Sequence, residues 1–390
     1  MQTAAAHGEN RVIFFGPSLG PTLDRVVERW LQVWRSHHRL YYEAIDDEPA
    51  RVAAERCFGR NDLPIYRLDE AEVLISFGAD FLETWRSPVE LTRQYAAFRT
   101  PRQGRAGMTM GRAVYLGSHF GLTAANCDEW LALRPGMEAS VALSILYVLV
   151  HNGWGQPDVD RESLINFTKD YDPNTVAERT GIAAAKIQQL AEWFGKAKGA
   201  VALAGAADTT THTVTFILNA ITGNLGKTVQ FLDGGPPPSW SRLEDLAHLL
   251  TEMKNKTVDT LVIAGANPAF TMPEFAKIAK QVPFVVWIGE VPDETAEHAH
   301  LLLPCQHTLE SWSDAAPRPD VMLLGQPVMQ PVFQNLPLGD ILLSSARSAA
   351  NASDALPWRN AQAAVEATWR DLHSRQGGRI TLRALLATSA

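Results

Sequence analysis

The sequence predicts an α/β fold with two Rossmann-like lobes, each built on a parallel sheet. Short, continuous apolar runs end at glycine in several places, and helical patterns separate these runs. A run of this kind is typical of a strand that is buried on both faces of a sheet. The arrangement occurs twice along the chain, at an offset of about 170–190 residues. Because this period is too long for a solenoid, it indicates an internal duplication of one α/β unit.

The first lobe is predicted over residues 10–150. It opens with an apolar run that ends at Gly16, and an amphipathic helical pattern follows this strand. Two further apolar runs end at Gly78 and Gly117, and they predict central strands of the same sheet.

The second lobe is predicted over residues 200–325, after a helical connection over residues 151–199. It repeats the pattern of apolar runs that end at glycine, here at Gly205, Gly265 and Gly289. Residues 326–390 are predicted to form a proline-rich tail with short helices, because several prolines favour an extended path over a surface.

The composition excludes several classes of function. The chain has 390 residues and a net charge of −8, without a basic patch that would indicate nucleic-acid binding. Its three cysteines are far apart in the sequence, so neither an iron–sulfur cluster nor a structural zinc site is expected in this chain. No apolar run reaches the ~18 residues of a membrane span, and residues 1–10 lack the features of a signal peptide. A chain complete as given is therefore expected in the cytoplasm.

The candidate binding residues lie where predicted strands end. In open α/β sheets, ligands bind at the carboxyl ends of the strands, and a glycine there lets a ligand approach the backbone closely. Loops of this kind follow two of the predicted strands, and two further polar residues follow the next strand of the second lobe. The candidates are Gly78, Ala79 and Asp80 in the first lobe, and Gly265, Ala266, Asn267, Glu290 and Thr295 in the second.

Several motifs occur in the order found in a known family, the molybdopterin oxidoreductase superfamily. The resemblance covers roughly residues 10–325. It rests above all on Thr222-Gly223-Asn224-Leu225-Gly226-Lys227, Gly265-Ala266-Asn267-Pro268-Ala269 and Pro292-Asp293-Glu294-Thr295-Ala296. A narrower resemblance, over residues 77–90, is to the molybdopterin-like half of the large B subunit of alternative complex III, a membrane-bound quinol-oxidising respiratory complex.

The resemblance implies two lobes like domains II and III of molybdopterin oxidoreductases. In a catalytic member, the two glycine loops would hold a molybdenum bis-pterin guanine dinucleotide. The family's metal-ligand position falls on Asp46, which also fits a helix-capping acid. The aspartates that follow a strand in both lobes of the family are replaced here by Gly117 and Gly289. These departures predict a degenerate active site, with any pterin loops vestigial and no cofactor bound.

Three functions follow as hypotheses. The first is a structural or assembly module of a respiratory complex, with iron–sulfur, cytochrome and membrane subunits as partners, on the periplasmic face of the cytoplasmic membrane. The second is a catalytic molybdenum oxidoreductase subunit whose cluster and covering domains are on other chains. The third is a B-type subunit of a formylmethanofuran dehydrogenase-like or formyltransferase/hydrolase complex.

Overall fold

The chain divides into two compact units. A computed structural model describes residues 1–104, 107–155, 160–205, 208–233, 240–347, 349 and 352–375. Unit 1 consists of Met1–Ile45 together with the described residues from Asp233 onward, and unit 2 consists of the described residues of Asp46–Leu232.

The strands, in chain order, are β1 (Val12–Gly16), β2 (Arg39–Tyr41), β3 (Ile65–Tyr66), β4 (Val73–Phe77), β5 (Arg102–Gly104), β6 (Gly107–Thr109), β7 (Arg112–Gly117), β8 (Glu129–Ala132), β9 (Ala200–Ala204), β10 (Val229–Gln230), β11 (Thr260–Ala264), β12 (Phe284–Gly289), β13 (Leu301–Pro304), β14 (Ser313–Arg318) and β15 (Val321–Gly325).

The helices are α1 (Gln2–His7), α2 (Pro21–Val33), α3 (Glu48–Phe58), α4 (Pro88–Phe98), α5 (Leu122–Asn126), α6 (Glu138–His151), α7 (Arg161–Thr168), α8 (Pro173–Thr180), α9 (Ala184–Lys196), α10 (Thr209–Ile221), α11 (Leu243–Lys254), α12 (Pro268–Thr271), α13 (Phe275–Ala279), α14 (Leu338–Ala346), α15 (Ala352–Ala355) and α16 (Ala361–Arg375). Among the described residues, no helix is long and apolar enough to cross a bilayer.

Unit 1 is built on a five-stranded parallel sheet with the order β13-β12-β11-β1-β2. Every residue of β1 and β11 is buried. Successive side chains of a strand point to opposite faces, so the apolar residues of β1 supply two cores. Phe14 packs in a cluster with residues of α2, α14 and α16, whereas Phe15 packs in a cluster with residues of α11 and α13.

Unit 2 is built on a four-stranded parallel sheet with the order β8-β7-β4-β9. Its central strand β4 is buried along its whole length. Ile75 and Phe77 pack in a cluster with α6 and α9, and Leu74 packs in a cluster with α4. The predicted α/β fold with parallel sheets is therefore confirmed in both units.

The two sheets place equivalent strands in equivalent positions, but their opening strands are exchanged. The order β13-β12-β11-β1 in unit 1 matches β8-β7-β4-β9 in unit 2. Strand β1 thus pairs with β11, late in the chain, and β9 pairs with β4 in the first half. The predicted lobe boundaries, 10–150 and 200–325, therefore placed β1 and β9 each in the wrong sheet. Any fully apolar strand can enter the middle of a buried parallel sheet, so the apolar pattern does not specify which strand lies beside it.

The two segments outside the predicted lobes also belong to the units. Helices α7, α8 and α9 lie in the predicted connection, 151–199, and contribute to the core of unit 2. In the predicted tail, 326–390, α14 and α16 bury Leu342, Leu343 and Ala364 in a core of unit 1. Residues 326–337 of this tail follow the irregular path that its prolines predict, and residues 376–390 lie outside the described residues.

Candidate functional site

The first candidate loop follows β4 in unit 2. Gly78 has φ +73°, a conformation that residues with a side chain rarely adopt. Its amide donates a hydrogen bond of 2.8 Å to the carbonyl of Leu116 on the neighbouring strand. The Ser76 hydroxyl donates to the carbonyl of Ala79 (2.8 Å) and accepts from the amide of Ala79 (3.0 Å). These bonds hold a tight turn at the end of the strand.

Asp80 completes this loop and is tied to the adjacent strand. The Tyr115 hydroxyl donates to Oδ1 of Asp80 over 2.8 Å. The backbone carbonyl of Asp80 accepts from the amides of Glu83, Thr84 and Trp85. Burial, followed by this hydrogen bond, raises the pKa of Tyr115 well above its ordinary value. The phenol therefore stays protonated and remains a donor to Asp80.

Glu138 lies beside this loop, and the sequence did not indicate it as a candidate site residue. It is the first residue of α6 and only 7% exposed, and a Cβ on Gly78 would lie 3.9 Å from its Oε1. Its Oε2 is buried and has no hydrogen-bond partner among the described residues. An acid in the first turn of a helix is ordinary, so only its burial distinguishes it. A buried acceptor without a donor favours the binding of an N–H or O–H group.

The second candidate loop follows β11 in unit 1. Gly265 has φ +66°, and its amide donates to the carbonyl of Ile288 over 3.0 Å. It is the counterpart of Gly78. Gly265 follows β11, the third strand from the β13 edge of its sheet, and Gly78 follows β4, the third strand from the β8 edge of the other sheet. Ala266 comes next and is partly buried against the core that contains α11 and α13.

Asn267 and Thr295 are brought together beside this loop. Thr295 is fully buried; its hydroxyl donates to Oδ1 of Asn267 (2.8 Å) and accepts from the amide of Ala269 (3.0 Å). Nδ2 of Asn267 donates to Oε2 of Glu294 over 2.6 Å. This last hydrogen bond lowers the pKa of Glu294. The polar groups of the loop therefore satisfy one another.

Glu290 does not join this network. Its carboxylate lies 3.8 Å from Nε2 of His307, and both side chains are about half exposed. Glu290 immediately follows β12, but it makes no hydrogen bond to Asn267 or Thr295 among the described contacts.

Aromatic rings occupy the space beside the strand-end glycines of both units. A Cβ on Gly117 would lie 2.9 Å from a ring carbon of Tyr115, and a Cβ on Gly289 would lie 2.3 Å from a ring carbon of Trp287. In each case the ring belongs to the residue two positions earlier, whose side chain leaves the same face of the strand. An aspartate at either position would have to displace a buried ring.

Asp46 lies at the start of α3 in unit 2. Its Oδ1 accepts from the amide of Glu48 (3.0 Å), and its Oδ2 accepts from Nη2 of Arg51 (3.3 Å). The Arg51 side chain is almost fully buried. Both carboxylate oxygens of Asp46 are thus engaged with α3. Within the described residues, no group of three or more His, Cys, Asp and Glu side chains is arranged to hold a metal ion.

Comparison with known proteins gives a consistent answer. No family model matches the sequence. The menaquinone reductase, molybdopterin-binding-like subunit of Nitratidesulfovibrio vulgaris is 26% identical over 326 residues, in an alignment that covers 76% of this chain and 46% of that protein. This chain resembles molybdopterin oxidoreductases. A nitrate reductase of Synechocystis is 25% identical to this chain over 254 residues, in an alignment that covers 49% of this chain and 34% of that protein.

Solved structures show the same fold. The structure of acetylene hydratase from Pelobacter acetylenicus matches 90% of this chain and 57% of the hydratase chain, with a TM-score of 0.69 and 15% sequence identity. A chain of the formyltransferase/hydrolase complex from Methylorubrum extorquens matches 89% of this chain and 93% of its own, with a TM-score of 0.54 and 14% identity. The chain spans less than half the length of the curated relatives it matches.

Proposed function

We propose that this molybdopterin-oxidoreductase-like chain is a subunit of a membrane respiratory electron-transfer complex, in which it acts as a structural and assembly module without a cofactor of its own. The complex oxidises quinol, in the manner of alternative complex III. Its other parts are an iron–sulfur protein or domain, cytochrome and membrane subunits, and this chain lies on the periplasmic face of the membrane.

The observation that carries the proposal is the filled space at the two strand ends. A dinucleotide-binding lobe uses an acid at a strand end to hold the ribose. Here Gly117 and Gly289 offer no acceptor side chain, and the rings of Tyr115 and Trp287 occupy the space where one would begin. Because the same replacement occurs in both sheets, it supports the loss of dinucleotide binding in both.

Asp46 supports the same conclusion. Both carboxylate oxygens of Asp46 accept hydrogen bonds from α3, so a metal ion would have to compete for them with the Glu48 amide and the Arg51 guanidinium. Its position favours a role in capping this helix, where an acid satisfies amides that lack helical partners.

The respiratory role is supported by a relative. The Nitratidesulfovibrio protein is named as a molybdopterin-binding-like subunit of a menaquinone reductase, and 76% of the present chain matches it. Assignment as a subunit of a quinone-linked complex is therefore consistent both with the similarity to this relative and with the rings that fill the space at the two strand ends.

The test is the metal and nucleotide content of the chain purified with its native partners. Elemental analysis for molybdenum and tungsten and acid release of guanine nucleotide should both give traces far below the amount of protein. About one metal ion and about two guanine nucleotides per chain, the content of a bis-pterin enzyme, would overturn the proposal.

A catalytic molybdenum oxidoreductase subunit is the second candidate, and Glu138 favours it. A buried acceptor without a donor, beside the glycine with positive φ, fits a loop that still binds a ligand. In that case Asp46→Ala should remove the metal while Asp47→Ala, at the adjacent position, should retain it. Equal metal content in the two variants would contradict the assignment of Asp46 as ligand.

A further inference from the structure

Unit 1 carries a concentration of exposed apolar side chains on an irregular part of its surface. Val328, Val332 and Phe333 are 75%, 63% and 74% exposed. Leu309, Met329 and Leu336 are exposed by 42–49%. We call these six residues the 309–336 surface. Single exposed apolar residues are normal, but several in one short segment mark an interaction site.

Hydrogen bonds fix the backbone of this surface. The amide of Val328 donates to the carbonyl of Leu309 (2.9 Å), and the amide of Val332 donates to Oε1 of Glu310 (2.9 Å). The amide of Gln306 donates to the carbonyl of Leu336 over 3.1 Å. The segment thus holds its apolar side chains in solvent on an ordered backbone, which lowers the entropy lost when a partner binds.

Negative charge borders the 309–336 surface. Between Lys280 and Arg318 the sequence contains no lysine or arginine. The same stretch carries the exposed acids Glu290, Glu294 and Glu297. Nε2 of His307 lies 3.8 Å from Glu290, and the amide of His307 donates to Oε2 of Glu310, so these two acids lie at the edge of the apolar surface.

We propose that the 309–336 surface docks a protein partner whose contact face has an apolar centre and lysine or arginine side chains at its rim. This inference rests on the proposed function, because it identifies the face through which the module assembles. Charge complementarity selects the occupant: a second copy of this chain, with a net charge of −8, would bring two acidic rims together. An anionic lipid surface would be repelled by the same rim.

The experiment uses the complex purified from its native host through a tag on this chain. Phe333→Ser removes the aromatic side chain among the six residues of this surface, and Phe167→Ser on α7 of unit 2 is the control, since Phe167 is also an exposed phenylalanine (49%). We expect the amount of partner per chain to fall about fivefold or more with the first variant and to stay unchanged with the second. Circular dichroism verifies that both variants fold.

A charge reversal tests the rim. Glu290→Lys should weaken the retention of the partner and reduce its dependence on salt, whereas Glu162→Lys on α7 should change neither. A photo-crosslinking amino acid at position 333 should attach to an apolar part of the partner's contact face.

The outcomes separate the surface from the function. Retention of the partners by every variant, without crosslinks from position 333, would overturn the docking surface and leave the proposed function standing. Crosslinks from position 333 to a second copy of this chain would overturn the choice of occupant. If the wild-type chain brings down no partner from its native host, the proposed function fails and the inference fails with it.

Discussion

The loops after β4 and β11 start from the same backbone and end with different chemistry. Gly78 and Gly265 have φ values of +73° and +66°, and each donates its amide to the adjacent strand. In unit 1, Asn267 and Thr295 satisfy each other and their neighbours. In unit 2, Glu138 is buried beside the loop with an unpaired oxygen. Duplication therefore preserved the turn, which depends on glycine, while the polar groups around it diverged.

The difference separates a closed loop, whose polar groups are all paired, from a loop that lies beside a buried acceptor without a donor. A network whose donors and acceptors are all paired gains little from a ligand, because binding must first break its bonds. A buried unpaired acceptor gains a full hydrogen bond when a donor arrives. If either loop still binds a ligand, the loop of unit 2 is the one we expect to bind it.

The largest expected effect concerns Gly16, at the end of β1, and Gly205, directly after β9. A Cβ on Gly205 would lie 2.2 Å from the carbonyl oxygen of Gly78, whereas a Cβ on Gly16 would lie 2.8 Å from that of Ala264. Gly205→Ala should therefore destabilise the protein by about 3 kcal/mol and Gly16→Ala by about 1 kcal/mol, because backbone must move further in unit 2. Denaturant unfolding of the full chain measures both, and equal losses would show that the two strand ends adapt alike.

The closed loop of unit 1 provides the next effect. Thr295→Val retains the size of the side chain but leaves the amide of Ala269 and Oδ1 of Asn267 without their partner. We expect a loss of about 2 kcal/mol, since two partly buried groups lose a hydrogen bond. Thr251→Val, at an exposed position on α11 of the same unit, is the control and should cost little. An unchanged melting temperature for Thr295→Val would mean that the network does not hold the loop.

Glu138 should show the opposite sign. Glu138→Met keeps the approximate volume and removes a buried carboxylate oxygen that has no hydrogen bond. The variant should be more stable by about 1 kcal/mol, because the desolvation penalty disappears. A decrease in stability would show that the carboxylate has a favourable role in the folded chain, and the contrast between the two loops would then be wrong.

The smallest effect distinguishes the units by pH. Burial raises the pKa of Asp314 in unit 1 above the ordinary 3.8, so its folded form favours the protonated acid and loses stability as pH rises through the raised value. Burial also acts to raise the pKa of Asp128 in unit 2, but hydrogen bonds from Arg99 and Ala113 outweigh it and lower the pKa below 3.8. Asp128 therefore contributes stability above 3.8, and this is lost as pH falls through the lowered value.

Melting curves between about pH 2 and pH 6 test this contrast, with Asp314→Asn and Asp128→Asn as the variants. Each substitution should remove one of the two opposite slopes. Parallel pH profiles for the two variants would contradict the assigned directions.

The sequence by itself determined the strands and the turns that follow them. Apolar runs that end at Gly78, Gly117, Gly265 and Gly289 predicted β4, β7, β11 and β12, because the burial of a strand depends on local residue type. The positive φ of Gly78 and Gly265 depends on residue type in the same way. The order of motifs also indicated the family resemblance, which the similar proteins confirm.

Only the tertiary structure decided which elements meet. The exchange of β1 and β9 between the sheets, the rings over Gly117 and Gly289, and the unpaired oxygen of Glu138 all depend on residues that are brought together by folding or by strand direction. Asp46 was compatible with a ligand and with a helix cap in the sequence, and its bonds to Glu48 and Arg51 became visible only in three dimensions. Local residue types specify backbone conformation, whereas pairing and burial are properties of the packed chain.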